Sequence, residues 1–283
     1  MSPLNPEAVD LPVGFGRLRL WMYGSEGPAL LWCHGAGLCG RAFEPIFKRL
    51  FPLPVRVAAL DLNGHGCTDA RPGLEKGAWE AFRQDVEVAV TWLLERFQLA
   101  GAVGHSGGGA VLAMEQIRRP VFPRLLLLDP ILAPDHFFPA ANPLAERARR
   151  RRHHFSSRDE ARARLLPKFP FCQWSRDLFD AYIEHGMVPS AGGGVTLRCS
   201  GAVEAAFYLA GSTESTLRRL AEMRCPTLLV TGSESYMEPY ARMQLEFAPP
   251  GSRLKVLSDC GHFIAQEKPE EVVDLVREWF DFR

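Results

Sequence analysis

The sequence predicts an α/β fold, a mostly parallel sheet flanked by helices and interrupted by a helical insertion. Three observations predict it. Apolar runs of strand length alternate with helix-length segments over residues 29–129 and again over 226–279. Strands joined through helices run parallel, and a parallel sheet is covered on both faces, so its strands read as continuous apolar runs. Between the two stretches, over 131–223, the chain turns helical, basic and aromatic, with no good buried strand. Finally, 283 residues at 47% hydrophobic content can bury a sizeable core, enough for one large domain with an insertion. The core is therefore assigned to 1–130 and 224–283, and the insertion to 131–223.

Each element follows from its own residues. Arg17-Leu18-Arg19-Leu20-Trp21-Met22-Tyr23 alternates in polarity and suggests an N-terminal hairpin. Pro28-Ala29-Leu30-Leu31-Trp32-Cys33 reads as a buried strand over 29–33, ending in His34-Gly35-Ala36-Gly37. A helix over 41–50, a strand over 55–60 and a helix over 78–97 come next, then a strand over 100–104, a helix over 107–119 and a strand over 124–129. After the insertion, Cys225-Pro226-Thr227-Leu228-Leu229-Val230-Thr231-Gly232 supplies a strand over 226–231. A helix over 237–247, a strand over 253–257 and a last helix over 270–279 complete the chain. Reactive loops are expected at the carboxyl ends of the strands.

The strongest chemical signal is Gly104-His105-Ser106-Gly107-Gly108, between a strand and a helix. A serine on so tight a turn has a strained backbone, tolerates only very small neighbours and lifts its hydroxyl clear of the sheet. The competing reading is a glycine-rich turn with an incidental serine. Agreement at both ends of the chain weakens it. His34-Gly35 can turn a backbone N–H toward the same point, so that the N–H groups of Ala36 and Gly107 form an oxyanion site. Ser258-Asp259-Cys260-Gly261-His262-Phe263 places a histidine in the loop after the last strand, as a general base on a flexible loop requires. A lone loop histidine is more often solvated and inert; His262 is preferred because Ser106 and His34-Gly35 stand with it.

Thirty-three basic and thirty-three acidic residues cancel, which argues against a nucleic-acid or membrane surface. No apolar run reaches the roughly 18 residues of a membrane helix. The first seven residues lack the basic start and apolar stretch of a signal peptide. Seven cysteines, an odd number without metal-type spacing, read as reduced thiols. The expectation is a cytoplasmic protein, monomer or homodimer, with a small-molecule acyl substrate and no metal or cofactor.

Taken in order, His34-Gly35, Asp61-Leu62-Asn63-Gly64-His65-Gly66, the 104–108 turn, the 225–232 run and Gly261-His262 resemble the α/β-hydrolase superfamily over almost the whole chain. The second segment is similar to the family's Asp-x-Arg-Gly-His-Gly turn with Asn63 in place of arginine, so His65 is read as structural. The resemblance implies a helical lid at 131–223, Ser106 as nucleophile, His262 as base and a carboxylate to orient it. In many members that acid is an aspartate in Gly-x-x-Asp after the strand before the last. Here the stretch is Gly232-Ser233-Glu234-Ser235, with Ser235 in the expected place and Glu234 one position early. The other known placement, at the end of the preceding strand, holds Asp129, which is favoured over Glu234. Asn142-Pro143-Leu144-Ala145, Tyr182-Ile183-Glu184-His185-Gly186 and the missing Gly-x-x-Asp resemble a subgroup of fungal secondary-metabolism hydrolases and their bacterial relatives. Some of these are acyl-CoA hydrolases.

Substrate contacts are expected from His34, Gly35 and His105 near the nucleophile. In the insertion, Phe137, Phe138 and Trp174 either line an acyl pocket or pack the insertion on the core. The run Arg147, Arg149, Arg150, Arg151, Arg152, His153 and His154 spreads round more than one helical face. A solvated surface is its default reading, and a basic rim for an anionic substrate is the alternative. The residues thus point to a metal-independent serine hydrolase of an ester or thioester. Carbon–carbon bond hydrolysis by the same three groups, or a non-catalytic ligand binder on this fold, are the competing readings.

Overall fold

The alternating N-terminal residues pair as an antiparallel hairpin of β1 (Glu7–Val13) and β2 (Gly16–Tyr23), with Leu18, Leu20 and Met22 turned inward. The computed structural model describes residues 5–51, 53–74, 78–134, 137, 142–211 and 216–282. Strands β3 (Ala29–Cys33), β4 (Arg56–Leu60), β5 (Leu99–His105) and β6 (Leu125–Leu128) alternate with helices α1 (Glu44–Leu50), α2 (Ala78–Leu94) and α3 (Gly107–Arg118). The insertion contributes α4 (Pro143–Arg150), β7 (His154–Phe155), α5 (Arg158–Leu165), α6 (Arg176–His185), β8 (Met187–Pro189), β9 (Val195–Leu197) and α7 (Gly201–Ala210). Alternation then resumes with β10 (Thr227–Gly232), α8 (Glu238–Phe247), β11 (Arg253–Leu257), α9 (Ile264–Glu267) and α10 (Pro269–Trp279).

The main sheet has the order β1-β2-β4-β3-β5-β6-β10-β11. Only β1 and β2 run antiparallel to their neighbours; from β4 to β11 the pairs are parallel. The order of winding reverses between β3 and β5, and the crevice outside the carboxyl ends at such a reversal is where this kind of sheet binds ligands. Two elements that the sequence marked as chemical, the 34–37 turn and Ser106, leave the sheet there.

Strand β3 shows why the sheet is buried on both faces. Leu30 and Trp32 join an apolar layer with Phe43, Phe47 and the face of α10, while Leu31 and Cys33 join a second layer with the faces of α2 and α3. The insertion is held to both layers. Helix α6 packs on residues 40–43 and on α1, and Phe207 of α7 packs on Phe82 with ring centroids 4.5 Å apart.

One expectation for 131–223 needs correction. The insertion contains a three-stranded antiparallel sheet, β7-β9-β8, turned between β8 and β9 by Gly193 and Gly194 at positive φ. Its strands are two or three residues long, too short to leave a periodic pattern in the sequence. Among the described residues no helix is long and apolar enough to cross a membrane.

Candidate active site

Ser106 sits between the end of β5 and the start of α3 with φ 57° and ψ −126°, a conformation that costs about 1–3 kcal/mol for a residue with a side chain. Its surroundings hold it there. The Ser106 N–H donates to Leu128 O at 2.9 Å, and its carbonyl accepts from Gly109 N at 3.0 Å and Ile131 N at 3.1 Å. A Cβ on Gly104 would lie 2.7 Å from Gly109 Cα, and one on Gly107 would overlap the Phe207 ring. The glycines are therefore required by contact as well as by the turn.

His262 follows β11, and its Nε2 lies 2.9 Å from Ser106 Oγ. The loop carrying it is clamped. Glu267 of α9 accepts from Gly261 N at 2.6 Å and Phe263 N at 3.1 Å, and His105 Nε2 donates to the His262 carbonyl at 3.0 Å. His262 Nδ1 lies 2.5 Å from Asp129 Oδ2. A carboxylate at Nδ1 places the proton there and leaves the Nε2 lone pair facing the serine O–H.

Asp129 leaves the end of β6 at φ 46°, with its N–H donating to Val230 O at 2.7 Å. Its carboxylate is fully buried, so its lone pairs must find donors inside the protein. Thr231 Oγ1 donates to Oδ1 at 2.6 Å, and Ser235 Oγ donates to Oδ2 beside His262. Ser235, which stands where the resemblance implied an acid, thus hydrogen-bonds to a carboxylate placed across from it. Glu234 is exposed; its backbone N–H donates to Cys260 O at 2.9 Å. Of the two candidate acids, Asp129 is the one bonded to His262.

The remaining expected residues fall into different places. His34 is fully buried and is not a substrate contact: Nδ1 donates to Gly35 O at 2.8 Å and Nε2 accepts from Leu62 N at 3.0 Å. Burial pushes its pKa down to about 4, so it is neutral and can accept. Its partner in supporting the turn is His65, whose Nε2 accepts from Gly37 N at 3.1 Å and whose pKa burial lowers to about 3. Gly35 is a close-approach residue, since a Cβ there would lie 2.9 Å from Ser106 Cβ. Burial, and next the neighbouring His262, drive His105 to about 3. His105 does border the cavity beside Ser106, but its ring hydrogen bond goes to the His262 carbonyl.

A cavity of 560 Å³ opens at Ser106 and His262 and is bordered by Ala36, Phe171, Trp174 and Tyr182. Of the three aromatic residues singled out in the insertion, Trp174 borders this cavity and also packs in the apolar core. Phe137 is not on the cavity's lining; its ring packs on Tyr240 with centroids 4.8 Å apart. Phe138 lies outside the described residues. Gly107 is the first residue of α3, so its N–H belongs to the helix's unpaired first turn. Surface solvation describes only part of the basic run: Arg149 lies 2.6 Å from Glu146 and Arg152 lies 2.9 Å from Glu160, whereas Arg147 and Arg151 border the cavity.

Sequence reasoning missed Tyr236, Thr231, Glu267 and Glu204. The Tyr236 phenol oxygen is 3.3 Å from His262 Nε2, with the two rings 4.8 Å apart. Tyr236 is partly exposed, but loss of water around its phenol oxygen, and next the Asp129 charge, push the phenol's pKa up. Tyr236 and Thr231 both flank Gly232-Ser233-Glu234-Ser235, and a search for hydroxyls there, once the aspartate was found absent, is the signal that would have found them.

A family model described as "Alpha/beta hydrolase family" matches residues 30–275. Among curated proteins, the Abhydrolase domain-containing protein ACTT2-1 of Alternaria alternata is 27% identical over 216 residues, covering 63% of this chain and 82% of its own. Among solved structures, E-2-(acetamidomethylene)succinate hydrolase superposes with a TM-score of 0.80 at 21% identity over 98% of this chain and 100% of that one. The thioesterase domain from the curacin biosynthetic pathway superposes with a TM-score of 0.77 at 22% identity, over 96% and 98% respectively. At these identities the structural likeness speaks for the fold.

Proposed function

The chain belongs to the alpha/beta hydrolase family, and from that premise we propose that it is a serine hydrolase cleaving an ester or thioester of a medium, partly apolar acyl group. One observation carries the reading: an unbroken hydrogen-bonded chain from Asp129 Oδ2 to His262 Nδ1, 2.5 Å, and from His262 Nε2 to Ser106 Oγ, 2.9 Å, at the edge of a largely apolar cavity.

Ser106 attacks the acyl carbon as His262 takes its proton, and Asp129 stabilises the imidazolium that forms. The negative charge on the former carbonyl oxygen is met by the N–H groups of Ala36 and Gly107, each worth about 3 kcal/mol where such donors have been removed from other sites. His262 returns the proton to the leaving oxygen or sulfur. Water, activated by the same histidine, then attacks the acyl-enzyme and releases the acid. The described part of 131–223, through Arg151, Phe171, Trp174 and Tyr182, serves as the lid over the cavity.

A fluorophosphonate probe tests this directly. It should add its mass to Ser106, and Ser106→Ala should abolish both the label and turnover of p-nitrophenyl esters and acyl-CoAs. A label that persists in Ser106→Ala would overturn the assignment.

A further inference from the structure

The arginine run sorts by helical position. Leu144, Arg147, Ala148 and Arg151 are spaced i, i+3, i+4 and i+7, which puts the first three on one face of α4 and Arg151, its C-terminal cap, at the end of that face, and these four border the cavity that holds Ser106. The arginines on the other faces are engaged elsewhere, Arg149 and Arg150 with Glu146 and Arg152 with Glu160. Arg151 is different. Its Nη1 lies 2.9 Å from Glu204 Oε2 and its guanidinium neighbours the Tyr182 phenol, yet Nε and Nη2, closed off from solvent, have no well-formed hydrogen bond among the described residues. Buried donors left without an acceptor are rare in folded proteins, and the acceptor that best matches the guanidinium fork is a carboxylate.

Resting on the serine-hydrolase reading above, we propose that the acyl substrate carries one carboxylate, bound by Arg151 in the cavity that Ser106 opens into, with the exposed Arg147 at its rim. The unfilled fork of Arg151 selects the carboxylate, and the surrounding charge disfavours a phosphate dianion: Arg151 is balanced by the buried Glu204, and the exposed Arg147 by the exposed Glu234, so the four groups carry no net positive charge. The aromatic lining from Phe171, Trp174 and Tyr182 receives the hydrocarbon between that carboxylate and the scissile carbonyl. Glu204 keeps Arg151 in place between turnovers, and the substrate supplies the acceptors that Nε and Nη2 lack.

The test compares the p-nitrophenyl hemiester of adipic acid with neutral p-nitrophenyl heptanoate. At low salt, kcat/KM for the hemiester should be at least tenfold higher. Arg147→Met should cut that ratio several-fold. Arg151→Met/Glu204→Gln, which removes the pair together so that no carboxylate is left buried alone, should bring it close to one. Calorimetry on Ser106→Ala protein, with monomethyl adipate against dimethyl adipate, reads the same site without chemistry and should favour the monoanion at least tenfold. A wild-type ratio near or below one, or a ratio unchanged in both variants, overturns the proposal. So does a preference confined to coenzyme A thioesters over their pantetheine counterparts. If Ser106 takes the fluorophosphonate while the two adipates bind alike, the carboxylate site fails and the hydrolase reading stands. Charge-selective binding without labelling at Ser106 is the reverse result.

Discussion

Replacing Asp129 with asparagine separates charge from geometry at this site. In another triad the comparable change costs about 10⁴ in turnover, in part because the amide holds the histidine in the wrong tautomer. Here the neighbours offer the amide a way to avoid that. With its oxygen at the Oδ2 position it still accepts from His262 Nδ1 and Ser235, and its NH₂ then faces Thr231 Oγ1, which can accept as readily as it donates. What is lost is the charge. An imidazolium and a carboxylate with charge centres about 4 Å apart interact by about 4 kcal/mol at an effective dielectric of about 20, which is about 10³ in rate. Asp129→Asn should therefore lose about 10³ in kcat for a p-nitrophenyl ester while melting near the parent temperature. Adding Thr231→Val removes the acceptor on the far side, turns the NH₂ toward His262 and should cost at least a further tenfold. Glu234→Gln, on an exposed side chain, should stay within about twofold. Initial rates of purified variants, with thermal melts alongside, decide it. More than a tenth of activity left in Asp129→Asn, or a dead Glu234→Gln, would refute the reasoning.

Two further predictions follow from burial and close contact. His34, His65 and His105 have pKa values lowered by burial to about 4, 3 and 3, so below about pH 6.5 the unfolded chain binds protons that the folded one refuses, and stability is lost as pH falls. Each such group contributes about 1 kcal/mol per pH unit; His185, lowered to about 4 by burial, adds to the fall, while Asp85, raised to about 7, and Asp61, Glu115 and Glu204, also raised by burial, oppose it. The urea midpoint should fall between pH 7.5, 6 and 5 and fall more steeply in Asp85→Asn; a flat profile in both proteins would refute the assignment of neutral buried rings. Gly107→Ala places a methyl into the Phe207 ring and should destabilise by about 1–3 kcal/mol and slow turnover. Adding Phe207→Leu should restore part of both, and a fully active Gly107→Ala would show that the elbow and α7 are not packed as described.

What the sequence determined by itself was local. Apolar runs of four to seven residues between helix-length segments announced the parallel sheet, because strand burial on two faces writes itself into consecutive residues. The serine turn was legible for the same reason: its strain and its need for small neighbours act on adjacent positions, 104 to 108. The tertiary structure decided everything that depends on where side chains from distant segments meet. Asp129 and His262 are 133 residues apart; Ser235 was marked only as standing where an acid was expected, and Thr231 and Glu267 were unremarkable, until the fold set the two hydroxyls against Asp129 and the Glu267 carboxylate against the backbone on either side of His262. His34, beside the nucleophile by sequence logic, went instead to support the turn behind it, since the ring's direction is set by packing against residues 62 and 65. The arginine run divided between solvent and cavity on a helical face that composition cannot orient. Periodicity says which residues share a face, but only the packed neighbours say what that face meets.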